Sequence, residues 1–514
     1  MRTWNMRLGV DFGTTRIVAA AADRGNYPLI SFESGDGAFD WMPPLVAVRG
    51  AERRYGWRAW HAQSDPQWTM VRSLKRFLSD AGPHTLLDAG GPHIPLTELL
   101  SGLALEVRQA LVTQYGSTEP FEIMLGVPAH ANSNQRYLTV EAFRLAGFSV
   151  LGLLNEPSAA SIEFGHRQKI TGRVLVYDLG GGTFDASLVE MTSTEHCVLA
   201  TEGIPDLGGD DFDRVLAELA LGEHKLATLA PAALFRLEEE CRRQKEALHP
   251  NTRRILLDLD SVEEGLGQAT VPIAAYYERC EPLVKRTVEA AARVAAQGEI
   301  EALYVTGGAS GLPLVPRMLR EEFGRKVKRS EYTRSATAIG LAIQADSTSG
   351  YRLWEVFTRN FAVWREEDQG RRMVLDVIFP QGTRLPSAGA PPLTVTRTYR
   401  PAHNVGHFRY LEAGYVQNGQ PSGDLTVWDE IRFAFDPALA ESLTLELTPV
   451  ALSDAAALQQ IEERYACDST GRVTVSILNA SSHYAREYPL SRWSDKAAVV
   501  KPSGRKRKRE SASA

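Results

Sequence analysis

Asp11-Phe12-Gly13-Thr14-Thr15 and Asp178-Leu179-Gly180-Gly181-Gly182-Thr183-Phe184-Asp185 are two versions of one chemical arrangement: a carboxylate ending an apolar run, then glycines and threonine hydroxyls. Glycines let successive backbone N–H groups face an anion and the hydroxyls add donors, so each turn suits a phosphate. The Asp beside each turn suits a hydrated Mg2+, which takes oxygen ligands and keeps several waters. Two such half-sites facing each other would clamp one nucleotide. Either turn alone is weak ground, because strand ends often carry Asp and Gly for turn geometry. Gly208-Gly209-Asp210-Asp211-Phe212-Asp213 and Val305-Thr306-Gly307-Gly308-Ala309-Ser310-Gly311 add a third and a fourth cluster, the last following a strand expected over Ala302–Thr306. Gly-Gly after a strand lets the backbone approach a ligand closely. Four such loops in one segment favour a nucleotide over ordinary turns.

The elements that must position these loops alternate between apolar strands and helical stretches from Met1 to about Ala345, which is the pattern of α/β architecture. Glu122–Pro128 reads as a strand and Asn134–Ala146 as a helix stopped by Gly147. Asp346-Ser347-Thr348-Ser349-Gly350 is a polar break. Beyond it, runs at Met373–Phe379, Leu393–Thr398, Gly406–Leu411, Ser442–Leu447 and Arg472–Leu478 read as strands of a sandwich, with Ala455–Arg464 as a helix within it or leading out of it. Past Trp493 little remains except Ser, Lys, Arg and Ala, including the basic run Arg505–Arg509, expected as a disordered tail. The expected organisation is an α/β nucleotide-binding domain over 1–345, a linker over 346–356, a smaller β-sandwich over 357–495 and a basic tail over 496–514.

A chain of 514 residues with 44% apolar content has ample material for several cores. No apolar run approaches the ~20 residues that span a bilayer, and the N-terminal residues lack a signal-peptide apolar region, so no membrane partner and a cytoplasmic location are expected. Cys197, Cys241, Cys280 and Cys467 are scattered without Cys-x-x-Cys spacing, which argues against zinc and against a disulfide framework. Nucleic acid is not expected as a partner except at the tail. There, phosphate or acidic-lipid attraction and a nuclear signal compete with a merely solubilising role, and no aromatic is interleaved to stack bases.

With these residues in place the chain resembles the seventy-kilodalton heat-shock (Hsp70) chaperone family, bacterial in type, whose ATPase domain shares its duplicated, RNase H-like fold with actin and hexokinase. Asp11–Thr15 resembles the family's first phosphate loop, Asp178–Asp185 its second, and Asn155-Glu156-Pro157-Ser158-Ala159-Ala160 its signature between them. Ser73-Leu74-Lys75-Arg76-Phe77 resembles the segment with the catalytic lysine, and Val127-Pro128-Ala129-His130 through Gln135-Arg136 the hinge proline and its paired arginine. The resemblance implies ATP/ADP and Mg2+ as cofactors. It implies that Lys75 contacts the γ-phosphate and attacking water, and that Glu156 positions metal and water. Asp11 and Asp178 would hold Mg2+ through water, and Thr14, Thr15 and Thr183 would bind phosphate. The glycines at 13, 180, 181, 182, 208, 209, 307 and 308 would line the nucleotide together with Lys245. These roles suit phosphoryl transfer to water, which needs charge neutralisation and in-line positioning more than covalent help.

Departures from the family pattern cluster at the adenosine end. In the helix Arg236–Leu248, Arg242 stands where the family has Glu and His249 where it has Ser; Gly311 replaces a frequent Arg, and Arg334 lies near a usual Asp. Weaker nucleotide binding or an altered base preference is expected. In the second segment Phe379–Pro386, His403–Phe408 and Cys467–Val475 resemble strands and turns of the family's peptide-binding sandwich, which can hold an extended peptide through main-chain bonds and apolar pockets. Tyr351–Val356 occupies the place of the acidic, leucine-rich linker, and about 20 residues after Trp493 are too few for the helical lid. The expected function is that of a lidless chaperone with weak ATPase activity. Its expected partners are unfolded polypeptide or a dedicated client, with a co-chaperone or nucleotide-exchange factor. The alternatives are a nucleotide-dependent scaffold serving one partner, and an actin-like or sugar-kinase-like ATPase; a kinase would need an Asp base facing a hydroxyl, whereas Lys75 and Glu156 favour water.

Overall fold

The computed structural model describes residues 6–89, 91, 93–116, 120–367, 372–386, 390–442, 444–490 and 499–500. Its first unit is built twice from the same strand arrangement. Arg7–Phe12 pairs antiparallel with Ile17–Ala21 and parallel with Glu122–Val127, which in turn pairs parallel with Ser149–Asn155. Gly172–Leu179 likewise pairs antiparallel with Phe184–Met191 and parallel with Ala302–Thr306, in a sheet extended by Val327–Arg329, Glu195–Ile204 and Arg352–Trp354. In both sheets the tight turn between the antiparallel pair is an Asp-Gly-Thr turn, so the duplication seen in the motifs is a duplication of sheets. The strands carrying these turns are buried along most of their length, which is why their sequences are nearly continuous apolar runs.

Helices Leu96–Tyr115 and Ser133–Leu145 cover the outer face of the first sheet, and Gly209–Leu221 and Ile273–Ala295 that of the second, each around its own apolar core. Between the sheets lie Glu156–Gln168 and Ala336–Ala345. These two helices touch backbone to backbone: a Cβ on Gly340 would overlap the carbonyl of Ala159, so small residues set the spacing of the two lobes. Glu156–Gln168 begins one residue after strand Ser149–Asn155, which aims its N-terminus, and Glu156, into the space between the lobes.

The second unit is a sandwich of two four-stranded antiparallel sheets. One has the order Arg372–Phe379, Asn360–Glu367, Val405–Gln417, Gln420–Ala434; the other Leu393–Tyr399, Ile461–Cys467, Val473–Asn479, Tyr484–Pro489. Phe361, Phe379, Tyr410, Phe433, Tyr465 and Val475 form the core between them.

Two expectations are corrected here. Ser442–Leu447, read as a strand, turns through a short 3-10 helix at Leu445–Leu447, where the Arg432 guanidinium gathers the carbonyls of Leu445 and Thr448. Ala455–Arg464 is helical only at Asp454–Ala457, and Ile461–Cys467 is a strand with Ile461, Glu463, Tyr465 and Cys467 inward. The buried carboxylate of Glu463 hid the period of two that marks a strand. Of the segment expected as tail, Val499–Val500 pair in parallel with Leu86–Leu87. The basic run Arg505–Arg509 and the end of the expected sandwich domain, 491–495, lie outside the described residues. Cys241, Cys280 and Cys467 are buried free thiols and Cys197 is a partly buried one, as their scattered spacing predicts.

Candidate nucleotide site between the lobes

One cleft between the two sheets is lined by both Asp-Gly-Thr turns. Asp11, Gly13, Thr14 and Thr15 come from the first lobe; Asp178, Gly180, Gly181, Thr183, Gly209, Gly307 and Gly308 come from the second; Lys75, Glu156 and Lys245 complete it. Residues chosen for their chemistry along the chain therefore converge in space. Gly182 and Gly208 stand behind this lining: the Gly182 carbonyl accepts from Arg76, and the Gly208 N–H donates to Asp211 at 2.9 Å. Gly307 is a position in the cleft where a larger residue does not fit. Its φ is +83°, and a Cβ would overlap the Leu179 carbonyl and the Asp178 carboxylate.

The floor of the cleft is charged and buried. Lys75 donates to Glu156 in an ion pair, both side chains being buried. Burial pushes the Glu156 carboxyl up to about 7, and Asp11 and Asp185 add to the rise against the pull of Lys75. Burial also raises Asp11, opposed by Lys75, and carries Asp178 well above the carboxylate range, with Glu156, Asp185 and Asp11 reinforcing it. The Lys75 ammonium keeps a raised pKa because Glu156 and Asp11 outweigh its burial. Four carboxylates thus face one ammonium, a donor set short of positive charge. Among the described residues no three His, Cys, Asp or Glu side chains are close enough to ligate a metal directly. Asp11 and Asp178 stand on the two turns that line the cleft, and their carboxylates are oxygen donors of the kind a hydrated Mg2+ takes.

Several contacts beside the cleft escaped the sequence reading. Ser73, at φ +54°, donates to Asp210 Oδ2 at 2.9 Å, across the lobes. Arg72 pairs with Asp210 and with Glu239, both at 3.2 Å, and Arg76 pairs with Asp211 at 2.8 Å. These contacts join the lysine segment to the third Gly-Asp cluster and close one side of the cleft. The signal was present as a basic Arg72-Ser73-Leu74-Lys75-Arg76 run opposite an acidic Gly-Gly-Asp-Asp turn. His130 Nδ1 lies 2.8 Å from Asp185 Oδ1, so the second phosphate loop is tied to the loop after Val127. Burial would lower the His130 pKa, but Asp185 and Glu156 raise it on balance.

Lys245 lines the cleft, and its ammonium is bonded to the Gly209 carbonyl and to Asp213, each at 2.7 Å. It thereby ties down the Gly209 loop at the wall of the cleft. Burial lifts Asp213 to about 6 in spite of that pair. At the adenosine end, Arg16 and Arg334 both donate to Glu246 Oε2, at 2.7 and 2.9 Å, and the Arg16 guanidinium sits 4.3 Å over the Trp41 ring. Burial lowers the Arg16 pKa to about 10 despite Glu246. Arg242 is turned toward Glu239. Of the departures noted in the sequence, Arg334 joins an ion cluster with Glu246 and Arg16 that spans the two lobes.

The linker reaches the same site by a short path. Arg352–Trp354 adds a parallel strand to the second sheet, and buried Glu355 accepts from the Asn155 N–H at 2.8 Å and from Asn155 Nδ2 at 2.6 Å. Arg136 donates to Asn155 Oδ1 at 2.7 Å. Asn155 immediately precedes Glu156, so Glu355, Arg136 and Glu156 meet at one turn of backbone. In the sandwich, Trp364, Arg365, Asp376, Arg397, Tyr399 and Phe408 line a cavity of ≈ 680 Å³; of these, the sequence motifs had marked Phe408. Arg365 bridges Asp376 at 2.6 Å and Glu463 at 2.8 Å, and Arg397 reaches Asp376 at 3.0 Å.

Comparison with known proteins agrees with this geometry. The profile of the family described as Hsp70 protein matches residues 96–359. A protein titled Chaperone protein HscA homolog from Pseudomonas putida is 30% identical over 439 residues, covering 79% of this chain and 68% of that protein. Chaperone protein HscA from Klebsiella pneumoniae is 31% identical over 444 residues, covering 80% of this chain and 69% of that protein. An HscA homolog from Pseudomonas fluorescens is 31% identical over 402 residues, or 73% and 60% of the respective chains.

The chain belongs to the Hsp70 family. Membership makes it a nucleotide-binding protein of the ATP-dependent chaperone type with an actin-like duplicated domain and a β-sandwich. The aligned segments span about two thirds of these relatives' lengths. No helix among the described residues is long and apolar enough to cross a membrane.

Proposed function

We propose that the chain hydrolyses ATP slowly in the interlobe cleft, with Mg2+, and that nucleotide state controls how the β-sandwich holds unfolded polypeptide or a dedicated client. The observation that carries this reading is the buried Lys75–Glu156 pair at the floor of a cleft walled by both phosphate-type turns. Lys75 offsets the charge that develops on the transferred phosphoryl group. Glu156, with its pKa near neutrality, accepts and orients the attacking water. Thr14, Thr15 and Thr183 donate to phosphate oxygens, and the glycine turns present backbone N–H groups. Asp11 and Asp178 would hold the hydrated Mg2+, which would neutralise the phosphate chain. The 1–345 and 357–495 boundaries, a cytoplasmic location and a partner co-chaperone or exchange factor belong to the same proposal.

A second reading, a nucleotide-dependent scaffold with little turnover, is favoured by the ion cluster Arg16–Glu246–Arg334 across the adenosine end. Phosphate release from ATP by the wild type, Lys75→Ala and Thr183→Ala, with and without unfolded peptide, separates the two. Loss of release in both variants together with stimulation by peptide supports the chaperone ATPase. Turnover indifferent to Lys75→Ala overturns the catalytic assignment, and turnover indifferent to peptide moves the reading to the scaffold.

A further inference from the structure

The loop between strand Glu122–Val127 and helix Ser133–Leu145 carries a titratable side chain, His130, that the phosphoryl-transfer assignment leaves unused. Its imidazole lies against Gly203 of the strand Glu195–Ile204, where a Cβ would overlap His130 Nδ1 and the Asp185 carboxylate. Glycine there lets the ring reach Asp185, and the two side chains meet at 2.8 Å, Nδ1 to Oδ1. A carboxylate oxygen only accepts, so Nδ1 carries a hydrogen whether the ring is neutral or charged. The proton that comes and goes is therefore the one on Nε2, which is buried and has no hydrogen-bond partner among the described residues. Three charged groups face the ring from other elements: Asp185 on the strand Phe184–Met191, Glu156 at the start of the helix Glu156–Gln168, and Arg359 just before the first strand of the sandwich. Arg359 is itself 3.6 Å from Glu412, and the acid next to Gly203, Glu202, is turned to Arg293 at 3.0 Å.

Asp185 is paired across the strands with Asp178, so its charge bears on the floor of the cleft, where four carboxyl groups face Lys75. A phosphoryl group in transfer carries negative charge on its oxygens, and an uncompensated carboxylate nearby opposes it. An imidazolium bonded to Asp185 offsets that carboxylate without touching the ligand. We propose that His130 is a positioning residue for phosphoryl transfer, holding the Asp185 carboxylate through Nδ1 and, when Nε2 is protonated, giving the floor of the cleft a second positive charge beside Lys75. The proposal rests on the ATPase reading above. Burial and Arg359 lower the His130 pKa, but Asp185 and Glu156 raise it on balance, so the ring stays charged to higher pH than an ordinary histidine. The charge is present below that pKa and is lost as pH rises through it. Phosphate release therefore slows on the alkaline side, opposite in sign to its rise as Glu156 ionises near pH 7.

The test is single-turnover phosphate release from ATP by the full chain, from about pH 6 to about pH 10, for the wild type, His130→Asn and His130→Gln. Both amides keep a side-chain N–H for Asp185 and neither titrates, so whichever folds with the wild-type melting temperature decides the result. The expected wild-type profile rises and then falls. The variant profile should rise alike, lie about tenfold lower at the wild-type optimum, the worth of about one pKa unit of charge compensation, and lack the fall, so that the two converge at high pH. Histidine Cε1–H resonances give a second readout, the signal missing from the variant being that of His130. Its pKa should lie above the ordinary histidine value and drop in Asp185→Asn. An alkaline fall retained in the variant, a rate lowered by the same factor at every pH, or a His130 resonance that titrates below the ordinary value would each overturn the proposal. Absence of release by the wild type at every pH would instead overturn the ATPase reading, and the proposal with it.

Discussion

Replacing Lys75 by Met removes the one ammonium that faces Glu156, Asp11, Asp178 and Asp185. Glu156 then loses its partner while remaining buried, a situation that costs about 3–5 kcal/mol when the stranded charge cannot be neutralised. Its carboxyl is already raised to about 7 with Lys75 present, so without the ammonium it holds its proton above that value. A folded-state pKa above the unfolded one means that the folded protein binds more protons, so stability falls as pH rises through the interval. Between about pH 5.5 and its folded pKa near 7, this group costs the wild type about 2 kcal/mol, at about 1.4 kcal/mol per unit. In Lys75→Met the fall continues to about pH 8 and reaches about 3 kcal/mol, so the stability gap between the two proteins should widen by about 1 kcal/mol over that range. Urea unfolding of both proteins at the two pH values measures the gap, and single-turnover phosphate release measures the chemistry. Release should fall by at least about a hundredfold, the scale of losing one charge-stabilising donor. A stability gap that is constant or narrows with pH would refute the electrostatic account of the cleft, even if activity were lost.

Three further outcomes follow from other contacts. Gly307→Ala places a Cβ against Asp178 and the Leu179 carbonyl at a positive φ, so nucleotide affinity by calorimetry should drop by more than about tenfold, alongside a lower melting temperature. Glu355→Ala leaves the buried Asn155 donors unpaired, costing about 1–3 kcal/mol in urea unfolding, and peptide should no longer stimulate phosphate release. Glu463→Gln removes the buried partner of Arg365 and should destabilise the sandwich by about 3 kcal/mol, read by the protease resistance of that unit, while Arg365→Met/Glu463→Met recovers most of the loss.

How much could be read in advance differs element by element. Strand Ala302–Thr306 and the turn after it were legible because four apolar residues and a threonine followed by Gly-Gly admit few other conformations. Strand Ile461–Cys467 was not, because Glu463 looks like a solvent-facing acid until Arg365, from another strand, is seen to pair with it. Lys75 and Glu156 were identified by motif, yet their union was invisible along the chain. His130 could not be associated with Asp185 at all, since nothing local links the loop after a strand of one lobe to the second phosphate loop.

The sequence by itself determined the two phosphate-type turns, their carboxylates and hydroxyls, and the family to which the chain belongs. Those features are carried by a few consecutive residues, whose backbone freedom and donor groups act locally. Only the tertiary structure decided which charges meet. Arg72 and Arg76 close on Asp210 and Asp211, Glu246 joins Arg16 to Arg334, and Glu355 holds Asn155 beside the site. Pairing between distant segments depends on how two lobes and a linker dock. That docking is set by backbone contacts such as Gly340 on Ala159, and the order of nearby residues does not say which distant segment each will meet.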